Sequence, residues 1–595
     1  MNMIRFYADL LKFRHLFNIS VRITMKKLLL GAAVSAALFA GHASAAITAL
    51  PTIGTGATQS IDFSTTTGVG LAANIKGTAY FSGSSAATPF LEKSILNLAA
   101  AGSKVYKYYD SGKEAFTYYF TTGATVPAGS GLTAGNNYVV HKRDKGGSVT
   151  GVLAASGNAA NIATVTYNTT LPTVTGSLGQ VAATVFPCAA PATLSTTAAN
   201  LVPCTGATAI ALAVPPVGTV SVNLADVDAA QFASALNGAT ATNSLATLAP
   251  TIASNPVATQ IFGVALTLKL RNAMQTAAIA SGALPATCTA GNETEACMPS
   301  LTSAQITALF ATGRFNDWTN FGFNGTATGN LVAANGTNVP GNPAVHICSR
   351  TAGSGTLATT QVLFENAPCN GTVSEAIQSP AALTIAAEGA AGATKAYHAT
   401  TSSGELESCL ETLDGYNATT ATSGTTMVAN STFTLPTFLG TANFRWAVGI
   451  LNTDRNITNA LPYRFVKIDG YSPSAANVAA GKYKFWSELS TVGTVPTVTS
   501  NPLGFGLLQS MTSPATIALA NVTNPAFGVT GYLGTAANAT YKTAIAPGTL
   551  INAAFEATRP VNPFTHMVGA GTAGTLNHCR SATILSGTKS LPGLN

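Results

Sequence analysis

The sequence predicts an α/β fold in which short apolar strands alternate with helices. The clearest strand, QIFGVALTLK at residues 260–269, is almost continuously apolar, as expected of a strand that is covered on both faces of a sheet. Several other short strands are followed by segments with helical spacing of their apolar residues. A fixed-period repeat is absent from the sequence, which excludes solenoids and propellers.

The first 45 residues form a leader that lies outside this pattern. Met25-Lys-Lys, the apolar run at 28–40 and Ala43-Ser-Ala45 have the three-part form of a secretory signal. An apolar run of about 13 residues is too short for a bilayer core, which needs about 20. A start codon at Met25 is the simplest explanation of the basic segment 1–24. The mature chain is therefore expected to be periplasmic or secreted.

Composition and charge limit the possible classes of function further. Hydrophobic residues make up 47% of the chain, which is enough to fill cores. Without the leader, the 29 Lys and Arg become 23 and the 22 Asp and Glu become 21, a net charge of about +2. So small a charge excludes a polyanion-binding protein, and no nucleic-acid partner is expected.

The eight cysteines all follow the leader, and an even number in an exported chain favours disulfides over metal ligation. Closeness in the sequence suggests three pairs and leaves a fourth by elimination: Cys188–Cys204, Cys288–Cys297, Cys348–Cys369 and Cys409–Cys579.

The expected elements follow one another from residue 77. A strand at 77–81 precedes a helix from Pro89 to residue 98, and a strand at 138–141 leads through loop 142–148 to a helix at 149–155. Residues 157–217 are rich in Pro, Thr and Ala and read as an insertion. The later elements are the strand at 260–269, a helix at 303–310, a strand at 344–348 and a helix at 356–365.

The segment SRTAGSGTL, at residues 349–357, joins the last of these strands to its helix. The first N–H groups of a helix are unpaired and favour an anion. Gly353 and Gly355 let the backbone approach a ligand, Ser354 and Thr356 add hydroxyls, and Arg350 offers a planar fork of donors. The alternative is an ordinary glycine-rich turn with a surface arginine.

Three earlier loops have the same character, at residues 83–89, 145–148 and 223–228. Together with RTAGSGT at 350–356, they resemble the binding loops of exported phosphate-binding proteins of the type 2 periplasmic solute-binding fold, which occur in this order. ALFATGRFNDW at 308–318, VKIDGYSPS at 466–474 and AGKY at 480–483 are also similar to segments of that family. The resemblance covers about residues 76–490.

The resemblance implies a two-lobed architecture with long insertions. Residues 46–262 and 440–595 would form the first lobe with the C-terminal tail, and residues 263–439 the second. The chain would cross between the lobes near 262–269 and return near 445–452, and the lobes would close around the anion.

The resemblance also implies the residues of the site. Those expected to hold the ligand are Thr88, Ser148, Asp228, Arg350, Ser354, Gly355 and Thr356. Asp228 would accept a hydrogen bond from a protonated oxyanion and so favour hydrogen phosphate over sulfate.

Several of these positions leave alternatives open. Asp226 competes with Asp228, which could also be an exposed carboxylate at a helix start. Asp144 or Lys145 could replace Ser148, which could also be a simple turn residue. Where the family has a threonine and an acid, this chain has Ala87 and Ala352. Trp318 is expected to pack in the core.

The predicted function is capture of inorganic phosphate or a related oxyanion, without catalysis, cofactor or metal. A monomer is expected, and the membrane complex of an ABC transporter is the partner that the resemblance implies. A structural cell-surface protein and a phosphate-ester hydrolase are the alternatives. The sequence has neither Gly-x-Ser-x-Gly nor HExxH, and His578 has no second ligand at helical or hairpin spacing.

Overall fold

The structure, a computed structural model, describes the following residues of the chain: 58–61, 75–109, 114–158, 167–168, 186–189, 195–205, 212–213, 221–233, 237, 245–311, 315–369, 395–417, 419–428, 433–434, 443–537, 561–568 and 575–584. The leader and most of the expected insertion at 157–217 lie outside these residues. Within the described part of the chain, every helix is too short or too polar to cross a membrane.

The helices are short to medium in length. They are α1 Thr88–Leu98, α2 Ser148–Ala155, α3 Leu245–Leu248, α4 Leu268–Ala280, α5 Ser303–Phe310, α6 Leu331–Asn335, α7 Gly355–Glu365, α8 Ser403–Asp414, α9 Ala475–Ala479, α10 Pro502–Met511 and α11 Pro514–Ala520. Single 3₁₀ turns lie at Ala229–Ala233, Ala249–Thr251, Glu295–Cys297, Trp318–Asn320 and Ala327–Gly329.

Most of the longer strands belong to one large mixed sheet. Its strands are β1 Thr58–Ile61, β2 Ile75–Gly83, β3 Lys104–Tyr109, β4 Ala115–Thr121, β5 Asn137–Arg143, β7 Phe186–Ala189, β8 Asn200–Thr205, β10 Ser221–Ala225, β11 Ser254–Thr267, β13 His346–Arg350, β14 Ala396–Thr400, β17 Ala447–Asn452, β18 Tyr463–Phe465, β20 Trp486–Val492, β23 Tyr532–Thr535 and β24 Val561–Asn562.

Short strands pair with one another outside this sheet. They are β6 Tyr167–Asn168, β9 Leu212–Ala213, β12 Ser300–Leu301, β15 Tyr416–Asn417, β16 Thr422–Ser423, β19 Lys467–Ile468, β21 Val522–Asn524, β22 Gly528–Thr530, β25 Phe564–Thr565, β26 Met567–Val568, β27 Thr575–Leu576 and β28 Thr583–Ile584.

The α/β class is confirmed, and two parallel regions of the large sheet carry it. Strand β2 pairs in parallel with β5 and β10, and β13 pairs in parallel with β14 and β17. Strand β11 links the two regions, because its first half pairs with β20 and its second half pairs with β17. The carboxyl ends of β2, β5, β13 and β14 each lead into a helix, which places four helix N-termini near the middle of the molecule.

Two large apolar cores flank this link. One packs α1, α10 and α11 against the first parallel region around Phe81, Phe90 and Leu507, and the other packs α4, α5 and α7 around Phe262, Trp318 and Trp446. Trp318 is fully buried, as expected. The bounds of the two predicted lobes stay a prediction.

The strand predicted at 260–269 begins earlier and ends earlier than expected. It runs from Ser254 to Thr267, and Leu268 already begins α4. The carboxylate of Asp414 accepts a hydrogen bond of 3.0 Å from the backbone N–H of Lys269, so a distant residue satisfies the first turn of the helix. Sequence pattern alone carries no signal of such a partner.

The predicted disulfide Cys288–Cys297 is confirmed. Two others are wrong, because Cys348 pairs with Cys409 and Cys369 pairs with Cys579, at sequence separations of 61 and 210. Strand β13 and helix α8 bring Cys348 and Cys409 together in one core. Cys188 lies opposite Cys204 in the pairing of β7 and β8, and their side chains lie outside the described part.

Candidate functional site

Arg350 ends strand β13 at the middle of the molecule, where its side chain is 4% exposed. Its two terminal nitrogens donate to the hydroxyl of Ser403 and to the carbonyl of Thr401, each at 3.1 Å. Burial lowers the pKa of Arg350 to about 10, against the opposing effect of Asp226, and the guanidinium keeps its charge at neutral pH. Among the described residues, no carboxylate lies within ion-pair distance of it.

Two polar atoms in this region are buried without a hydrogen-bond partner among the described residues. They are Nε of Arg350 and Oγ1 of Thr356, which is 2% exposed. Buried polar groups are almost always paired, because an unpaired donor loses its bonds to water. Both atoms are therefore able to bond to a group from outside the described residues.

The helix N-termini of α2 and α7 meet at this place. Ser354 caps α7 by accepting a hydrogen bond from the N–H of Leu357. The N–H of Val149, in the first turn of α2, donates to the carbonyl of Gly353 at 2.8 Å. The two helix starts thus lie against each other beside Arg350.

Position 355 requires a glycine because Asp226 and Ser148 approach its backbone closely. A methyl group at Gly355 would lie 2.6 Å from Oδ2 of Asp226 and would collide with the hydroxyl of Ser148. The hydroxyl of Ser148 also accepts a hydrogen bond of 3.2 Å from the N–H of Asp226. Ser148, Gly355 and Asp226 therefore form one packed unit.

Asp226 is the carboxylate of this unit. It is 2% exposed and accepts a short hydrogen bond from the hydroxyl of Ser84. Burial raises its pKa, and the nearby charges of Arg350 and Lys142 only partly oppose that effect. We call Ser84, Ser148, Asp226, Arg350, Gly355 and Thr356 the anion site.

Thr88 lies beside the anion site and faces another carboxylate. Its hydroxyl donates to both oxygens of Asp144, at 2.7 and 2.8 Å. Asp144 also forms an ion pair of 2.6 Å with Lys142, which is 1% exposed. Burial lowers the pKa of Lys142 in spite of Asp144. Lys145 instead points outward and pairs with Glu114.

A cavity of about 330 Å³ lies next to the anion site. Its polar lining comes from residues on both sides of strand β11 in the sequence, and it contains hydroxyls and charges of both signs: Ser85, Thr88, Glu92, Lys107, Asp144, Ser402, Ser403, Glu407 and Arg455. The hydroxyls of Ser85 and Ser403 lie 3.3 Å apart, so the starts of α1 and α8 meet here. Ser403, which accepts a hydrogen bond from Arg350, is the residue that connects this cavity to the anion site.

Six of the seven residues predicted for the site lie in or beside this region, and Asp228 does not. Its carboxylate lies 3.0 Å from Nδ1 of His578 and accepts a hydrogen bond of 2.8 Å from the backbone N–H of that residue. Asp226, the alternative, lies in the anion site instead. Ligand binding by each of the seven residues stays a prediction.

Sequence reasoning missed Ser84, Lys142, Ser402 and Ser403. One signal for the last two was present, since SSGE at residues 402–405 has the form of a capping box at the start of a helix. Ser402 caps α8 in the structure by accepting from the N–H of Glu405. No corresponding signal for Lys142 is present in the sequence.

No protein-family model matches the sequence, and no curated protein matches it. Among solved structures, the chain is similar to a Clostridium perfringens protein, determined with bound phosphate, whose name assigns it as the substrate-binding protein of a phosphate ABC transporter. The identity is 12% and the TM-score 0.33, over 74% of this chain and 96% of that chain.

Two further structures show weaker similarity. A protein of Planctomyces limnophilus DSM 3776, whose name assigns it as phosphate-binding, is 13% identical with a TM-score of 0.22, over 47% of this chain and 69% of that one. An ABC-type phosphate transport receptor of Vibrio cholerae is 13% identical with a TM-score of 0.20, over 42% and 63%. At these values the similarities carry no functional conclusion.

Proposed function

We propose that this chain captures phosphate or a similar oxyanion at the anion site, without catalysing a reaction. The observation that carries the proposal is the buried guanidinium of Arg350, whose Nε has no partner among the described residues; the hydroxyl of Thr356, at the start of α7, also has none. A buried charge is costly unless it is paired. A bound oxyanion supplies both the opposite charge and the missing acceptors.

The neighbouring cation supports this interpretation by contrast. Lys142 is as deeply buried as Arg350, and it has Asp144 as a direct partner at 2.6 Å. Among the described residues, the guanidinium of Arg350 hydrogen-bonds only to a hydroxyl and a carbonyl, and Asp226 acts on it from beyond ion-pair distance. The starts of α2 and α7 add N–H dipoles that favour an anion at the same place.

Asp226 provides a basis for selectivity. Hydrogen phosphate carries a proton that it can donate to a carboxylate, whereas sulfate carries none and would leave that carboxylate facing an anion. The role first assigned to Asp228 therefore passes to Asp226 in this proposal. The signal-like leader and the disulfides support a location outside the cytoplasm, where an ABC transporter could receive the ligand.

The test is calorimetric titration of residues 46–595 with phosphate and then with sulfate. We expect saturable binding of phosphate, no binding of sulfate, and a loss of phosphate affinity of about 100-fold or more in Arg350→Ala, since a charge-assisted contact is removed. Lys145→Ala, at an exposed cation near α2, is the matched control and should change affinity less than about threefold.

Two further variants separate the candidate carboxylates. Asp226→Asn should weaken the discrimination between phosphate and sulfate, and Asp228→Asn should leave it unchanged. The proposal fails if the folded protein binds neither ion, or if Arg350→Ala binds phosphate as well as the unmodified chain does. A reversed result for the two aspartates would return the role to Asp228.

A further inference from the structure

A second buried cluster lies where the C-terminal part of the chain meets strand β20. Glu488 belongs to β20, His566 lies between β25 and β26, and His578 follows β27. The disulfide Cys369–Cys579 fixes the chain directly beside His578. We call Glu488, His566 and His578 the histidine cluster. It shares no residue with the anion site.

The three side chains point their ligand atoms at one another. Nδ1 of His566 lies 2.7 Å and Nε2 of His578 lies 3.4 Å from the same oxygen, Oε2 of Glu488. The ligand atoms all lie within 4.8 Å of one another. Zinc bonds of about 2.0–2.2 Å in a tetrahedral site hold such ligands about 3.4 Å apart, so an ion fits here with small side-chain shifts.

The surrounding contacts orient each ligand atom. Oδ2 of Asp228 lies 3.0 Å from Nδ1 of His578, and Nε2 of that ring faces the hydroxyl of Ser487 at 2.9 Å and Oε2 of Glu488 at 3.4 Å. A carboxylate on the far nitrogen is the usual partner of a metal-bound histidine, because it fixes the ring and its tautomer. The second oxygen of Glu488, Oε1, accepts from the backbone N–H of His566 at 2.9 Å, so Oε2 is the one available to an ion.

A cavity leads to the cluster. It has a volume of about 350 Å³, and its lining includes Trp486, His566, His578 and Arg580. His566 is partly exposed, whereas Glu488 is fully buried. An ion could therefore enter from the side of His566, and a water molecule could complete its coordination.

We propose that Glu488, His566 and His578 bind one divalent transition-metal ion, most simply Zn²⁺, and that the ion fastens residues 561–584 to strand β20. Two histidines and one carboxylate are a common protein ligand set for zinc. The competing arrangement is a metal-free one, in which a protonated His578 bridges Asp228 and Glu488 by hydrogen bonds.

The test measures metal binding by the whole mature chain, residues 46–595, after treatment with a chelator. Zn²⁺ is titrated in competition with a chromogenic chelator, and Co²⁺ absorption reports the coordination. We expect one equivalent of Zn²⁺ to bind, and the affinity to fall at least about 100-fold in His566→Gln, which removes a ligand from a partly exposed position. Ser581→Ala, in the lining of the same cavity, is the control and should bind as the unmodified chain does.

The role of Asp228 is tested separately, because it positions a ligand and does not contact the ion. Asp228→Asn should weaken Zn²⁺ binding by about 10- to 100-fold and leave the stoichiometry at one. Circular dichroism and thermal melting confirm that each variant is folded. The proposal is overturned if the folded chain binds no stoichiometric Zn²⁺, which would favour the protonated cluster. It is equally overturned if His566→Gln binds Zn²⁺ normally, which would move the ion elsewhere, for example to the stacked pair His346 and His398.

Discussion

The anion site and the histidine cluster are neighbours, yet the buried carboxylates in and beside them have pKa values that are shifted in opposite directions. Ser487 connects them, since its hydroxyl bonds to the backbone carbonyl of Asp226 and lies 2.9 Å from Nε2 of His578. Burial raises the pKa of Asp226. Burial has the same effect at Asp228, but hydrogen bonds from His578 outweigh it and the pKa is lowered.

The two regions differ in how completely their buried polar groups are paired. Glu488 of the histidine cluster and the adjoining Asp228 each have a histidine nitrogen as partner. In the anion site a guanidinium and a hydroxyl keep unpartnered atoms. Incomplete pairing at a buried site costs stability in the free protein, and a ligand that completes it recovers that cost as binding energy.

Removal of the disulfide Cys369–Cys579 should have the largest effect, and it should affect the histidine cluster much more than the anion site. We expect the double variant Cys369→Ser, Cys579→Ser to lose about 2–5 kcal/mol of unfolding free energy, because the segment carrying His578 is no longer tied to the body of the chain. Denaturant unfolding measures this loss. Phosphate affinity should change less than about threefold, since the loops of the anion site adjoin their own strands. A large loss of phosphate binding in the folded variant would show that the two regions depend on each other.

Asp454 should make the unfolding free energy fall as pH rises, which is the opposite of what a well-paired carboxylate does. Its carboxylate accepts a hydrogen bond from the side-chain amide of Asn452, which also donates to the carbonyl of Ala86 just before α1. Burial raises the pKa of Asp454 to about 7. Since the folded pKa exceeds the unfolded value of about 3.9, the stability that this carboxyl contributes is present near pH 4 and lost as pH rises through 7.

Replacement by a neutral amide removes this dependence. We therefore expect Asp454→Asn to match the unmodified chain near pH 4 and to exceed its unfolding free energy by about 2–4 kcal/mol at pH 8. Urea unfolding at several pH values measures the difference. A variant that is less stable at pH 8 would show that the ionised carboxylate is well paired.

Gly355→Ala tests the packing within the anion site. The added methyl group would lie 2.6 Å from Oδ2 of Asp226, and relief of such crowding typically costs about 1–3 kcal/mol. Phosphate affinity should fall by about 10- to 100-fold in calorimetry. Gly424→Ala, where the new methyl group would meet nothing closer than 3.8 Å, is the control and should bind normally. Unchanged affinity in Gly355→Ala would mean that Asp226 and Ser148 can move aside without loss.

Much of the anion site was predictable because it is local. The loop at 350–356 contains the arginine, the cap and the glycine that its strand and helix require, within seven residues. Helix α5 was predicted with its bounds, and the structure shows that Thr302 and Gln305 form a capping box at its start. The choice between Asp226 and Asp228 could not be made, because both follow β10 directly and only the path of the chain separates them.

The sequence by itself determined the α/β class, the approximate starts of several helices, the short disulfide Cys288–Cys297 and the arginine of the candidate site. These features depend on backbone geometry within a few residues, and such geometry leaves a pattern in the sequence. Only the tertiary structure decided the partners of Cys348 and Cys369, the pairing of Asp228 with His578 and the meeting of Glu488 with His566. Contacts between residues 61 to 350 positions apart arise from the packing of whole elements, which no local spacing records.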